Sequence, residues 1–344
     1  MNILFICKAS IETGFGHLIR SRSLALQIRN ASLNNNIVFK VIGESVADRL
    51  LSDSKLDYSI YKNELDCSLH KHYDICYLDM ISITEELFTR VSNLTKLKVS
   101  ISPIFNKMSS VDAFFNRTKY NKYSDEQLPL RTYGSLDYTI IQEDCKKINT
   151  YIYEENLKLK NFPIAICMGG GDAANKTLEI LKALKNCEVP ATFWVMLGEG
   201  YKHSYDKLID VIKSNSNHEI ILAKTNKSMW QILRNCTMAI LPGGITTYEA
   251  AYAGLPTINL LEQETSFFLI QELEENNVCR YQGLFNYENI QKLNKTIKYL
   301  YENRKELLLM HLNTKDLIKD QSGLNIFKTC VNLISTENST ANMT

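Results

Sequence analysis

Three times along this chain an apolar run of strand length breaks at glycines and resumes as a helical period. Ile3–Cys7 leads into Gly14-Phe15-Gly16-His17, Phe162–Met168 into Gly169-Gly170-Gly171-Asp172, and Met238–Leu241 into Pro242-Gly243-Gly244. A buried strand, a tight turn and a helix in that order form the unit of a parallel sheet, whose turns collect at its carboxyl edge. Glycines at those turns admit backbone conformations and close approaches that other residues resist. The pattern therefore constrains the fold, and it marks three places where a ligand can meet the backbone.

The segments between these blocks extend the pattern. Ile37–Gly43, Tyr73–Asp79 and Lys98–Ser102 read as further strands, with helices over 45–52 and 84–94. Residues 116–135 are polar and tyrosine-rich and read as a long loop. In the second half, 191–197, 219–223 and 256–261 are strands, while 175–185, 229–235 and 246–253 are helices. The stretch from 286 to about 333 is mostly helical. The expected architecture is α/β, with two Rossmann-like domains facing a central cleft, over 1–150 and 160–333. The charged stretch 143–160 reads as a hinge, and the polar residues 334–344 as a flexible tail.

Composition narrows the function classes. A net charge of +1 offers no broad attraction to nucleic acid, and aromatics do not interleave with a basic stripe. Nine scattered cysteines, never in a Cys-x-x-Cys arrangement, fit reduced thiols in a cytoplasmic protein. Residues 1–7 are too short for a secretion signal, and no run of about 18 apolar residues exists. Membrane association is thus expected to be peripheral at most, at the inner face. No Asp-x-Asp pair advertises a metal held against a diphosphate. Neither a metal nor a separate cofactor is expected.

His17 opens a helix directly behind a strand, which places an imidazole beside the free N–H groups and positive dipole end of that helix. A general base and an anion site would meet there. Taken in isolation, the motif fits somewhat better a histidine that merely caps the helix or packs in the turn. Gly169, Gly170 and Gly171 can bring backbone amides to a ligand, or simply turn the chain. Gly243, Gly244, Thr246 and Thr247 open a helix able to hold a diphosphate. Glu249, within about the first turn, suits two ribose hydroxyls, or only the helix dipole.

Together the blocks Gly14-Phe15-Gly16-His17-x-x-Arg20, Ile166 to Asp172 and Gly243 to Pro256 resemble the GT-B superfamily of nucleotide-sugar enzymes. The likeness is to the UDP-sugar hydrolases of pseudaminic acid biosynthesis and their spore-coat relatives. It extends more loosely to the transferase that adds N-acetylglucosamine to lipid-linked muramyl-peptide. The blocks lie within about 1–30 and 134–285. The resemblance implies His17 as catalytic base in a turn held by Gly14 and Gly16. It implies Glu249 as the ribose glutamate, Gly243, Gly244, Thr246 and Thr247 as the diphosphate turn, and Gln263 beside the sugar. Gly170 and Asp172 would belong to an interdomain glycine loop, with Gly169 and Gly171, and Arg20 would contact substrate.

The chain also departs from those hydrolases. Ile6 and Lys8 stand where they carry an Arg-x-Asp-like pattern, and Asp79-Met80-Ile81 stands for Asp-His-Tyr. Gln142, Glu143 and Asp144 replace an arginine ahead of a Glu-Glu pair. Lys8 reads as a new cation at the rim of the site, or as a plain surface residue. The nucleotide half and base are kept while the sugar half has changed. The leading expectation is an inverting, metal-independent glycosyltransferase that uses a UDP-sugar and a glycan or lipid-linked acceptor to build a cell-surface glycan. A UDP-sugar hydrolase and a non-catalytic nucleotide-sugar-binding subunit are the alternatives.

Overall fold

The computed structural model describes residues 1–10, 14–224 and 229–341 of the chain. It divides into two compact units, Met1–Gln142 with Lys319–Thr344, and Glu143–Ile318. Among the described residues the first unit has seven strands: β1 (Asn2–Ala9), β2 (Asn36–Gly43), β3 (Asp57–Tyr61), β4 (Tyr73–Asp79), β5 (Thr95–Ser100), β6 (Ala113–Asn116) and β7 (Arg131–Gly134). All pair in parallel, in the order β3-β2-β1-β4-β5-β6-β7. Between them run α1 (Gly16–Ala31), α2 (Val46–Leu51) and α3 (Glu85–Leu94).

The continuous apolar run of β1 follows from burial on both faces. Ile3, Phe5 and Cys7 join a core with Leu18, Leu24, Ala25 and Ile28 of α1, while Leu4 and Ile6 face Leu87, Phe88 and Val91 of α3. Phe5 stacks on Phe39 and Tyr77, at ring separations of 5.5 and 4.8 Å. Each such buried side chain contributes roughly 1.5–3 kcal/mol. The rigid centre of the sheet is thus the strand pair β1 and β4, on which the candidate site rests.

The second unit has six described strands: β8 (Phe162–Ile166), β9 (Ala191–Leu197), β10 (Glu219–Lys224), β11 (Met238–Leu241), β12 (Thr257–Leu261) and β13 (Cys279–Leu284). They too are parallel, in the order β10-β9-β8-β11-β12-β13. Its helices are α4 (Thr150–Lys158), α5 (Lys176–Leu184), α6 (Tyr205–Lys213), α7 (Met229–Leu233), α8 (Ile245–Ala253), α9 (Phe268–Glu275), α10 (Tyr287–Glu302) and α11 (Arg304–Asn313).

Three boundaries differ from the sequence expectation. Within 116–135, read as loop, Arg131–Gly134 forms β7, an edge strand too short and polar to show a pattern. Half of the expected hinge 143–160 is α4, capped by Asn149 and packed into the second unit. There Tyr153 is fully buried, donates to the Thr237 carbonyl at 2.8 Å and stacks on His311 at 4.2 Å. The stretch expected to close the second domain and trail off as a tail instead forms α12 (Leu324–Ala341), which returns to the first unit. Its Leu324, Ile326, Cys330 and Ile334 enter the core shared with β1, and residues 342–344 lie outside the described part. All nine cysteines are buried free thiols. No described helix is long and apolar enough to cross a membrane.

His311 ties α11 to the end of α8. Its Nδ1 lies 2.6 Å from the Gly254 carbonyl and its Nε2 3.1 Å from Thr150 Oγ1. Burial lowers its pKa, so the folded ring stays neutral where the unfolded ring charges. Stability from this site is therefore complete above about pH 6.5 and is lost as pH falls below that value. Chemical denaturation between pH 7.5 and 5.5 should show the second unit weakening on acidification, and His311→Gln should flatten that slope. An unchanged slope in the variant would show that His311 does not titrate with folding.

Candidate active site

In an open parallel sheet the ligand-binding crevice lies where strand order reverses, because the flanking loops there splay apart. In the first unit that point falls between β1 and β4. The helix after β1 brings His17, and Asp79 closes β4, in register with Cys7. Gly14 has φ +78 and open space where a Cβ would stand, and exposed Gly16 begins α1. Ile11–Thr13 lie outside the described residues. Helix α1 has no side-chain cap and no acidic residue in its first turn, so its amide end carries no built-in counter-charge.

His17 Nδ1 stands 2.6 Å from Asp79 Oδ1. Asp79 is fully buried while the His17 side chain is 17% exposed, so the ring is held from inside and reachable from outside. Arg20 Nε donates to Asp79 Oδ2 at 2.8 Å, its Nη2 bonds Oδ1, and Ser21 Oγ donates to Oδ2 at 3.1 Å. Residues 17, 20 and 21 share one helix face through their i, i+3, i+4 spacing, which explains how three side chains reach one carboxylate. Burial alone raises a carboxylate's pKa, but the Arg20 and His17 charges outweigh it and hold Asp79 well below the usual range. Asp79 is thus an anion at neutral pH. An Nδ1–H donated to it leaves the lone pair on Nε2, as a base requires. In that tautomer the 3.1 Å approach of Arg20 Nη2 to His17 Nδ1 is a contact between donors.

Two residues expected to meet substrate have internal roles instead. Arg20 is buried and its guanidinium is committed to Asp79. Lys8, expected as a cation at the rim, pairs with Glu64 Oε1 at 2.5 Å and donates to the Ser82 carbonyl at 2.7 Å. The other Glu64 oxygen accepts the Thr84 N–H at 2.6 Å and its hydroxyl at 2.7 Å. Burial works to raise the pKa of Glu64, yet Lys8 and Thr84 together bring it below the ordinary value. Lys8 thereby pins the loop after β4. The sequence motifs assign Asp79 no role of its own. Its signal was its place at the end of the strand beside β1, together with the spacing of His17, Arg20 and Ser21.

The second unit repeats the arrangement at the reversal between β8 and β11. Gly169, exposed at φ +97 with nothing near its Cβ position, begins the first turn. The Gly170 carbonyl accepts the Gly200 N–H at 3.0 Å, which latches the loop, and Gly171 is buried. Asp172 caps α5: its carboxylate accepts the Lys176 and Thr177 N–H groups at 2.8 and 2.9 Å. That carboxylate is therefore engaged with the helix.

At the other turn, Gly243 (φ +79) lies against Leu261, and Gly244 caps α8 with open space at its Cβ position. Helix α8 also has no acidic residue in its first turn and no side-chain cap. Glu249, read as near that turn, sits one turn further in and is fully buried. Thr246 is half-buried at the helix mouth, whereas buried Thr247 accepts from Asn259 Nδ2 at 3.2 Å. Gln263 is exposed just beyond β12, beside Thr265. Gly243, Gly244 and Thr246 are thus gathered at one amide-rich helix end, with Gly169 on the neighbouring loop.

No family model matches the chain. It is 24% identical over 273 residues to an uncharacterised protein of Methanocaldococcus jannaschii, a match covering 77% of this chain and 56% of that relative. The chain thus spans only about half the length of that relative. Solved structures share the fold at low identity. MurG of Acinetobacter baumannii matches at TM-score 0.58 and 14% identity, covering 98% of this chain and 100% of that one. Alr3699/HepE of Anabaena, in complex with UDP, matches at 0.63 and 13%, covering 96% and 100%. A putative UDP-N-acetylglucosamine 2-epimerase of Listeria monocytogenes matches at 0.62 and 14%, covering 96% and 95%. The two parallel-sheet, Rossmann-like units are those of the GT-B fold.

Proposed function

We propose that this chain is an inverting glycosyltransferase that takes a UDP-sugar or a related nucleotide sugar. The observation that carries the reading is the buried Asp79 carboxylate, which holds His17 by Nδ1 and leaves Nε2 as the proton acceptor. Nε2 removes the proton of an acceptor hydroxyl as its oxygen attacks the anomeric carbon. The bond from that carbon to the diphosphate oxygen breaks, and its electron pair leaves with the nucleoside diphosphate. Amides of Gly244 and the first turn of α8, aimed at the departing phosphates, stabilise their charge without a metal. Gln263, exposed just beyond β12, meets the sugar. The fold shared with MurG and with Alr3699/HepE, the latter in complex with UDP, supports a nucleotide-sugar ligand. A glycan or lipid-linked acceptor at the cytoplasmic face, in cell-surface polysaccharide synthesis, completes the reading.

A cavity of about 210 Å³ in the first unit, lined by Phe105, Met108, Ser109, Tyr123 and Gln127, is the acceptor site this reading takes. It lies past the carboxyl end of β5, the strand next to β4, and offers aromatic faces and polar groups of the kind that take a sugar ring. Purified protein incubated with UDP-sugars should release UDP only when an acceptor glycan is added. His17→Ala should cut that release by about 10²–10⁴-fold and leave UDP binding intact. Equal release without acceptor would point to the hydrolase, and full turnover by the variant would remove His17 as base.

A further inference from the structure

Lys176 is an anomaly in the second unit. It is the first residue of α5, at the positive end of the helix dipole, where a cation is disfavoured. Yet its side chain is only 7% exposed. Lysine is rarely buried to that degree without a specific reason. Its ammonium is bonded to Glu262 Oε1 and sits 5.6 Å over the Phe285 ring. Glu262, by contrast, is 65% exposed. The pair is therefore lopsided: the lysine is fixed in the protein, and its counter-ion stands in solvent, free to turn away at little cost.

The location gives the asymmetry its meaning. Lys176 follows the glycine loop after β8, and Glu262 is the residue after β12. Strand β11 lies between β8 and β12 in the sheet, and Gly243 and Gly244 follow its carboxyl end into α8. Leu261, the residue before Glu262, is the side chain that lies against Gly243. An anion seated on the amide end of α8 would find Lys176 beside it and the Glu262 carboxylate in its way.

We propose that Lys176 binds the diphosphate and that Glu262 occupies the ammonium as a stand-in anion until the diphosphate displaces it. This rests on the nucleotide-sugar reading and adds a charge switch to it. Asp172 spends its carboxylate on the backbone of α5, so it secures the helix without competing for the ammonium. On release of the nucleoside diphosphate, Glu262 recaptures Lys176 and helps to expel the product.

Calorimetric titration of the full chain with UDP, inorganic pyrophosphate and uridine tests this. Lys176→Met should weaken UDP and pyrophosphate by at least about tenfold and leave uridine unchanged. Glu262→Gln, which removes the competing charge but keeps an acceptor for the lysine, should tighten both phosphate ligands severalfold. Binding of both by Lys176→Met within about twofold of the wild type, or weaker binding by Glu262→Gln, would overturn the proposal. If Lys176→Met does not fold, the direction of the Glu262→Gln change decides alone. Wild-type binding of pyrophosphate without UDP would defeat the uridine nucleotide reading while leaving the lysine comparison valid. Failure of the wild type to bind either ligand would defeat both.

Discussion

Asp79→Asn is expected to lower turnover of the sugar nucleotide by about 10³–10⁴-fold while UDP affinity stays as it was. An asparagine in this position can present its amide N–H to His17 Nδ1, which favours the tautomer with the proton on Nε2. The ring then has no lone pair aimed at the acceptor, and the imidazolium formed in the transition state loses its anionic partner. The nucleotide contacts proposed here lie in the other unit, so binding and turnover should separate. A second effect accompanies the first. Arg20, buried and bonded to both carboxylate oxygens, would keep its charge without an anion. Breaking a buried pair in this way costs about 3–5 kcal/mol, so the first unit should also unfold at a lower temperature. Measuring kcat well below that transition keeps the two effects apart. The acid limb follows the same carboxylate. Because its folded pKa is depressed, its stabilisation is present above the unfolded value of about 3.9 and is lost as pH falls towards the folded one. Asp79→Asn should remove that loss, and an identical acid transition in the variant would show that Asp79 does not contribute to it.

The parts of this fold that showed in the sequence are those buried on both faces. β1, β4, β8 and β11 are apolar throughout because helices cover both sides of the sheet, and each ends at a motif. The edge strands β3, β7 and β13 are half-buried or exposed along most of their length and carry no such run, whereas β10, an edge strand no better buried, shows through its Ile220-Ile221-Leu222 run. β6 escapes notice for another reason, since it is only four residues long. At the site, residues whose task lies in their own local backbone are legible, as with the glycines before α1 and α8. Asp79, Lys176 and Glu64 are not, because they act on partners 62, 86 and 56 positions away that only the sheet order brings near. Arg20 stands out by its place in the motif, yet its pairing with Asp79 makes the expected substrate contact a support for the base. Polarity in a motif marks the region of a site; pairing across strands decides which side chain remains for substrate.

Gly243 and Gly244 offer the sharpest separation of fold from ligand. Gly243→Ala places a methyl 2.1 Å from Leu261 Cδ2, at a φ of +79 that L-residues rarely adopt. Leu261 is buried on the strand end next to Glu262, so it has little room to yield. Left-handed backbone and overpacking together should cost about 2–5 kcal/mol. The second unit should melt at lower temperature, and UDP should bind more weakly because the entry to α8 shifts with Leu261. Gly244→Ala has neither penalty: its φ is −84 and its Cβ position is open. That empty space, at a helix end without an acidic residue or a side-chain cap, is where the proposed diphosphate would approach the amides. Gly244→Ala should therefore keep the wild-type melting temperature and still lose at least about tenfold in UDP affinity. A variant that melts and binds like the wild type would show that the phosphates do not sit on α8. One that loses both equally would make Gly244 a matter of folding alone.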